Sequence, residues 1–144
     1  MGYAVQQDLV DRFGDAELKQ LTDRVNGTTI DATVVAAALA DADAEIDSYL
    51  VQRYTLPLSA VPDVLKRVAC EVARYRLYSN QTADASETVR DNYKDAVAWL
   101  RDVAAGRANL DPNSAAALPA ATGGPRRDED APDRVFTQET LNDY

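Results

Sequence analysis

The sequence predicts an all-α fold: a small helical bundle of three main helices plus a short N-terminal helical pair, followed by a flexible C-terminal arm. Three observations predict it. Apolar residues recur at steps of three and four over residues 31–54, 61–79 and 86–105. Pro57 breaks the chain between the first two of those runs, and the polar stretch 80–85 separates the second from the third. Periodicity then disappears over residues 106–133, which hold four of the six prolines and three of the six glycines. The expected organisation is a helical domain over 1–106, a flexible linker over 107–133 and a docking segment over 134–144.

The elements can be justified in order. Val5 to Phe13 predicts a short amphipathic helix with Val5, Leu9, Val10 and Phe13 on one side, ended by Gly14. Asp15 can cap a second short piece, DAELKQLT, which presents Ala16, Leu18 and Leu21. Neither piece is long enough to be helical in isolation, so both must dock. Asn26-Gly27 marks a turn, because that pair readily adopts positive φ.

The run from Asp31 to Tyr54 predicts the longest helix. Val35, Ala38, Leu39, Ala42, Ile46, Tyr49, Leu50 and the stem of Arg53 share one face. Asp41, Glu45, Ser48 and Gln52 fall on one flank, Asp43 and Asp47 on the other. Asp31 can cap its start, and Pro57 prevents continuation. Pro57 and Pro62 bracket a rigid connection, with Pro62 suited to the first turn of the next helix. Val61 to Ser79 is apolar around most of its circumference, with Lys66, Arg67, Glu71, Arg74 and Tyr78 as its polar edge, so it belongs at the centre of the core. Ser86 or Asp84 can cap a last helix to about Ala105, striped by Val89, Tyr93, Ala96, Val97, Leu100, Val103 and Ala104 and stopped by Gly106.

Composition excludes several chemistries. There is no histidine, so Ser-His and Cys-His triads and His-ligated metals are excluded, while carboxylate or lysine chemistry is not. Cys70 is the only cysteine, which forbids an internal disulfide; its place in an apolar helical run predicts a partly buried thiol rather than a nucleophile. The net charge of −9 disfavours a protein that grips phosphates, yet suits a surface past which DNA slides. No stretch is apolar enough for a membrane span, and no signal peptide is visible.

The candidate sites are surfaces. Asp41, Asp43, Glu45 and Asp47 alternate around a helix, so they read as a solvated acidic face rather than a metal cluster. Asp41–Glu45 and Asp43–Asp47 are like-charge pairs one turn apart, mildly destabilising unless a partner's arginine or lysine meets them, which hints at an interface. A calcium loop counted from Asp23 would place Val25, Gly27, Thr28 and Val34 where ligands, glycine and glutamate belong, leaving only Asp23 and Asp31. Arg67, Arg74 and Arg76 with Tyr75 and Tyr78 form a basic, aromatic strip. It reads as an internal ion-pair edge, with Arg67 and Arg74 in reach of Glu71, or as a contact with a neighbouring subunit. Trp99 sits beside its helix's stripe and reads as a core-edge residue, the alternative being an interface hot spot. The final segment, RVFTQETLNDY, gathers Arg134, Val135, Phe136, Leu141 and Tyr144 after a tether and suggests docking on another chain; the alternative is that it packs back on its own domain.

The order LVDRFG, LTDR, a turn ending in ID, then VAAALADADAEIDSYLVQRYTLPL and VPDVLKRVACEVARYRLY, resembles the Mu-like phage head–tail connector family. Tyr93, Trp99-Leu100, Gly106 and the ending RVFTQETL extend the resemblance, which covers Tyr3 to about Leu110 and the last eleven residues and leaves the linker unmatched. The resemblance implies a non-enzymatic neck adaptor of the virion, present in the host cytoplasm during assembly and needing no cofactor. It implies a homo-oligomer, a dodecameric ring between the portal protein and the next neck or tail-completion protein. DNA would pass through without specific binding. The arm would dock on the portal through Arg134, Val135, Phe136, Leu141 and Tyr144, and neighbouring subunits would meet at Asp43, Asp47, Arg67 and Arg74. Members of that family tend to carry a more complete acidic turn before the long helix; Val25 and Gly27 depart from it and undercut a metal role here. The alternative reading is a helical DNA-binding or regulatory module of a prophage, which would need a more basic helix than 61–79 or 86–105 provides.

Overall fold

Helices α1 (Gln6–Phe13), α2 (Asp15–Thr22), α3 (Ala32–Leu50), α4 (Asp63–Ser79) and α5 (Glu87–Ala104) follow one another in a computed structural model that describes residues 2–23, 25–79 and 85–110. The predicted all-α class and the five-helix order hold. No helix among the described residues is long and apolar enough to cross a membrane.

The first two helices meet at Gly14, whose φ of 90° turns the chain between them. Gly14 itself, rather than Asp15, occupies the N-cap position of α2, and Asp15 pairs one turn on with Lys19 at 2.5 Å. Leu9, Leu18 and Leu21 are buried as expected, but Val5 and Ala16 are exposed. Val5 precedes α1, and its N–H donates to the Asp8 carboxylate at 2.9 Å. Its side chain therefore leaves the helical stripe that spacing alone assigned to it.

Asp31 caps α3, accepting from the N–H groups of Thr33 (2.9 Å) and Val34 (3.3 Å). Val35, Ala38, Leu39, Ala42, Ile46 and Leu50 are its buried face. The helix ends at Leu50, short of the expected Tyr54, because Arg53 and Tyr54 both donate to the Leu50 carbonyl and tighten the chain into a turn. The Leu56–Pro57 peptide in the following loop is cis. Pro62 lies just before α4 rather than inside it, and its carbonyl accepts from Leu65 (3.0 Å) and Lys66 (3.3 Å).

The core lies where α4 crosses α3 and α5. Leu65, Val68, Ala69, Cys70, Val72, Ala73 and Leu77 of α4 are buried, and each fully buried leucine or valine contributes about 1.5–3 kcal/mol relative to exposure. Cys70 is wholly rather than partly buried, and burial pushes its thiol up to about 11. Ser86 caps α5, accepting from Val89 N–H at 3.4 Å. Val89, Ala96, Val97, Leu100 and Val103 face inward, and Trp99 packs at the edge. The packed body runs past Gly106: Leu110 is buried, and its N–H donates to the Tyr54 hydroxyl at 3.1 Å. Residues 111–144, and with them the arm anchors Arg134, Val135, Phe136, Leu141 and Tyr144, lie outside the described residues.

Candidate functional site

The charged residues of α3 and α4 are where sequence reasoning placed the interaction surface. α3 presents its carboxylates to two different neighbours, one on each flank. On the first flank Glu45 accepts from Arg76 (2.8 Å) and from the Tyr93 hydroxyl (2.8 Å). Tyr93 stacks on Tyr75, ring centroids 4.1 Å apart and planes 10° from parallel. Burial and then the Glu45 carboxylate push the Tyr93 hydroxyl up to about 12, and the bond to Glu45 raises Arg76 above its ordinary value. Arg76 Nε is buried there without a hydrogen-bond partner among the described residues. The node joins α3, α4 and α5. The Asp41–Glu45 pair is thus met by an arginine of its own chain, where the spacing pointed to a partner's.

On the second flank lies the strap of residues 2–5. Tyr3 is buried, its N–H donates to Asp43 at 3.0 Å and its hydroxyl to Asp47. Burial and the Asp47 carboxylate hold the Tyr3 hydroxyl well above its usual range. Burial also raises Asp43, partly offset by the Tyr3 N–H. Asp43 and Asp47 thus face the strap of their own chain.

On α4, Arg67 pairs with Glu71 at 3.1 Å, as expected, and its side chain stays 46 % exposed. Arg74 does not join that pair. It makes a bidentate bond to Glu17 of α2 (2.6 and 2.9 Å) and lies over the Phe13 ring, 4.3 Å from its centroid. The Tyr78 hydroxyl donates to the same Glu17 at 3.1 Å. A residue 57 positions away thus replaces the one three away, because the helical pair docks against this edge of α4. The expected internal ion-pair edge is present, with Arg67 on its expected partner and Arg74 on a different one. Sequence spacing gave no signal for Glu17 or Tyr3, since both bonds depend on how α1 and α2 fold back.

The turn before α3 has its own chemistry. One oxygen of Asp23 accepts from the N–H groups of Val25 (3.1 Å) and Asn26 (3.0 Å), the other from Thr28 (3.0 Å) and Thr29 (3.4 Å). These bonds hold the carboxyl far below the usual range. The carboxylate nucleates the turn through backbone amides, where a calcium loop would point it at an ion. Among the described residues no three His, Cys, Asp or Glu side chains converge as a metal site requires.

A groove lies beside the strap. Ala4 and Val5 of the strap, Gln6 of α1 and Ala32, Ala36 and Ala40 of α3 line this open groove of about 320 Å³, with the buried Val35 and Leu39 beneath it and Asp43 also in its lining.

Comparison with known proteins places this sequence in a lineage. Residues 3–128 match the family described as Bacteriophage Mu, Gp36, so the likeness runs well into the stretch expected to be unmatched. The Mu-like prophage FluMu protein gp36 of Haemophilus influenzae is 39 % identical over 108 residues, 75 % of this chain and 74 % of that protein. Gene product J of Escherichia phage Mu is 41 % identical over 109 residues, 74 % of each chain. The chain belongs to the Bacteriophage Mu, Gp36 family.

Proposed function

We propose that the chain is a non-enzymatic structural protein of a tailed-phage virion, a head–tail connector. Copies form a ring, dodecameric in this reading, between the portal and the next neck or tail-completion protein, and the ring surrounds part of the DNA channel. The protein assembles in the host cytoplasm and ends in the neck. The observation that carries the reading is family membership shared with a phage Mu gene product and a Mu-like prophage protein. The charge pattern supports it. Every basic residue of α4 has a carboxylate beside it: Lys66 has Asp8, Arg67 has Glu71, Arg74 has Glu17 and Arg76 has Glu45. That leaves α4 poorly suited to grip phosphates, and a net charge of −9 per copy disfavours adhesion to passing DNA.

Ring contacts in this reading use Asp43, Asp47, Arg67 and Arg74. Arg67 is the most available of the α4 arginines; Arg74 would meet a neighbour with its Glu17 pair intact. The arm anchors to the portal through Arg134, Val135, Phe136, Leu141 and Tyr144. Co-purification with a portal ring tests the arm directly. Full-length protein is expected to be retained and a chain ending at Ala131 to be lost; equal retention refutes the arm's role.

A further inference from the structure

The groove beside the strap is open and chiefly apolar. We propose that, before it meets a partner, the C-terminal segment Arg134–Tyr144 lies in the groove of its own chain, with Val135 and Phe136 against Val5, Ala36 and Ala40 and with Arg134 at Asp43. This rests on the reading of residues 134–144 as a docking segment.

Three observations support it. The groove is chiefly apolar, and Val5 on its wall is 59 % exposed, so a covering apolar side chain removes apolar surface from water. Its charge pattern matches the segment: the Asp43 carboxylate, whose Oδ1 accepts from Tyr3 N–H, lines the groove, and Arg134 directly precedes the two apolar anchors. The tether also has the right length. The described chain leaves the body at Leu110, bonded to Tyr54, which is itself bonded to Leu50. Ala36 and Ala40 lie roughly 15–20 Å up the α3 axis from Leu50 at helical rise. The 111–133 stretch, at up to about 3.3 Å per residue, is long enough to cover that distance.

The arm then has two alternative seats, its own groove and the portal, and the groove competes with the portal for the same anchors. Disulfide trapping in the full-length chain tests this, with Cys70 buried and inert. The pair Ala36→Cys/Thr137→Cys is expected to close within one chain at least about tenfold faster than Ala37→Cys/Thr137→Cys, whose α3 position is exposed away from the groove. Ala40→Glu, at an exposed groove position, is expected to slow the first pair to the rate of the second with an unchanged helical circular dichroism spectrum. Equal rates for the two pairs overturn the inference, and so do disulfide-linked dimers in place of intramolecular closure. Portal binding separates this from the parent reading. Ala40→Glu should leave portal retention intact or raise it; loss of retention overturns the competition. The chain ending at Ala131 tests the portal role alone.

Discussion

Replacing Glu45 by alanine separates two accounts of α3 that differ in sign. On helix spacing alone, Glu45 stands one turn from Asp41, so its removal relieves a like-charge pair and improves helix propensity, a gain of a few tenths of a kcal/mol. The structure says the opposite. The Glu45 side chain is 15 % exposed and accepts from both Arg76 and Tyr93. The Tyr93 bond to a charged acceptor is worth about 1.5 kcal/mol. The Arg76 bond must be discounted, because that side chain is 38 % exposed and recovers water when the carboxylate leaves; about 1 kcal/mol is a fair figure. Less the propensity gain, Glu45→Ala is expected to destabilise by about 2 kcal/mol, a fall in Tm of roughly 8 °C for a body this size. Urea unfolding followed by Trp99, the only tryptophan, measures it. A double-mutant cycle with Tyr93→Phe is expected to give a coupling of about 1 kcal/mol. A Glu45→Ala variant as stable as the parent, or a coupling near zero, refutes the node.

Three further outcomes follow from other sites. The folded pKa of Asp23 lies below the unfolded value of 3.8, so the unfolded chain binds more protons in that window and stability falls as pH drops through it; Asp23→Ala is expected to flatten that acid limb, as urea midpoints between pH 5 and pH 2 would register. Gly106 has φ of 78°, and a Cβ there would come within 3.0 Å of Arg53 Nη1. Gly106→Ala is therefore expected to cost about 1–2 kcal/mol, of which Arg53→Ala recovers the crowding but not the backbone strain, as denaturant curves of the single and double variants would reveal. The Cys70 thiol, buried and raised to about 11, is expected to resist a thiol reagent at pH 8 and to react only along the urea transition; prompt labelling of the native chain would contradict its burial.

Local rules made much of the body legible. The stripe of α3 and its Asp31 cap, the Ser86 cap of α5, the Asn26-Gly27 turn and the Gly106 stop each follow from residue spacing or backbone freedom within a few positions. What was not legible depends on chain return. Arg74 had a glutamate three residues away and took one 57 away, because docking of α2 brings Glu17 alongside with a bidentate geometry that Glu71 cannot match from its own helix. Tyr3 precedes every helix and carries no periodic signal, yet its burial decides what Asp43 and Asp47 do. Val5 matched a helical stripe and fell one residue outside the helix. The candidate site was therefore half visible: the acids and arginines were recognisable, their partners were not.

α3 and α4 each touch every other helix of the described body. That doubled spine has a mechanical consequence. A load arriving on any one flank is shared at once by two rods that are themselves locked together by Arg76 and Glu45. Because α1, α2 and α5 are all seated on the same two rods, the body should yield under tension in a single step.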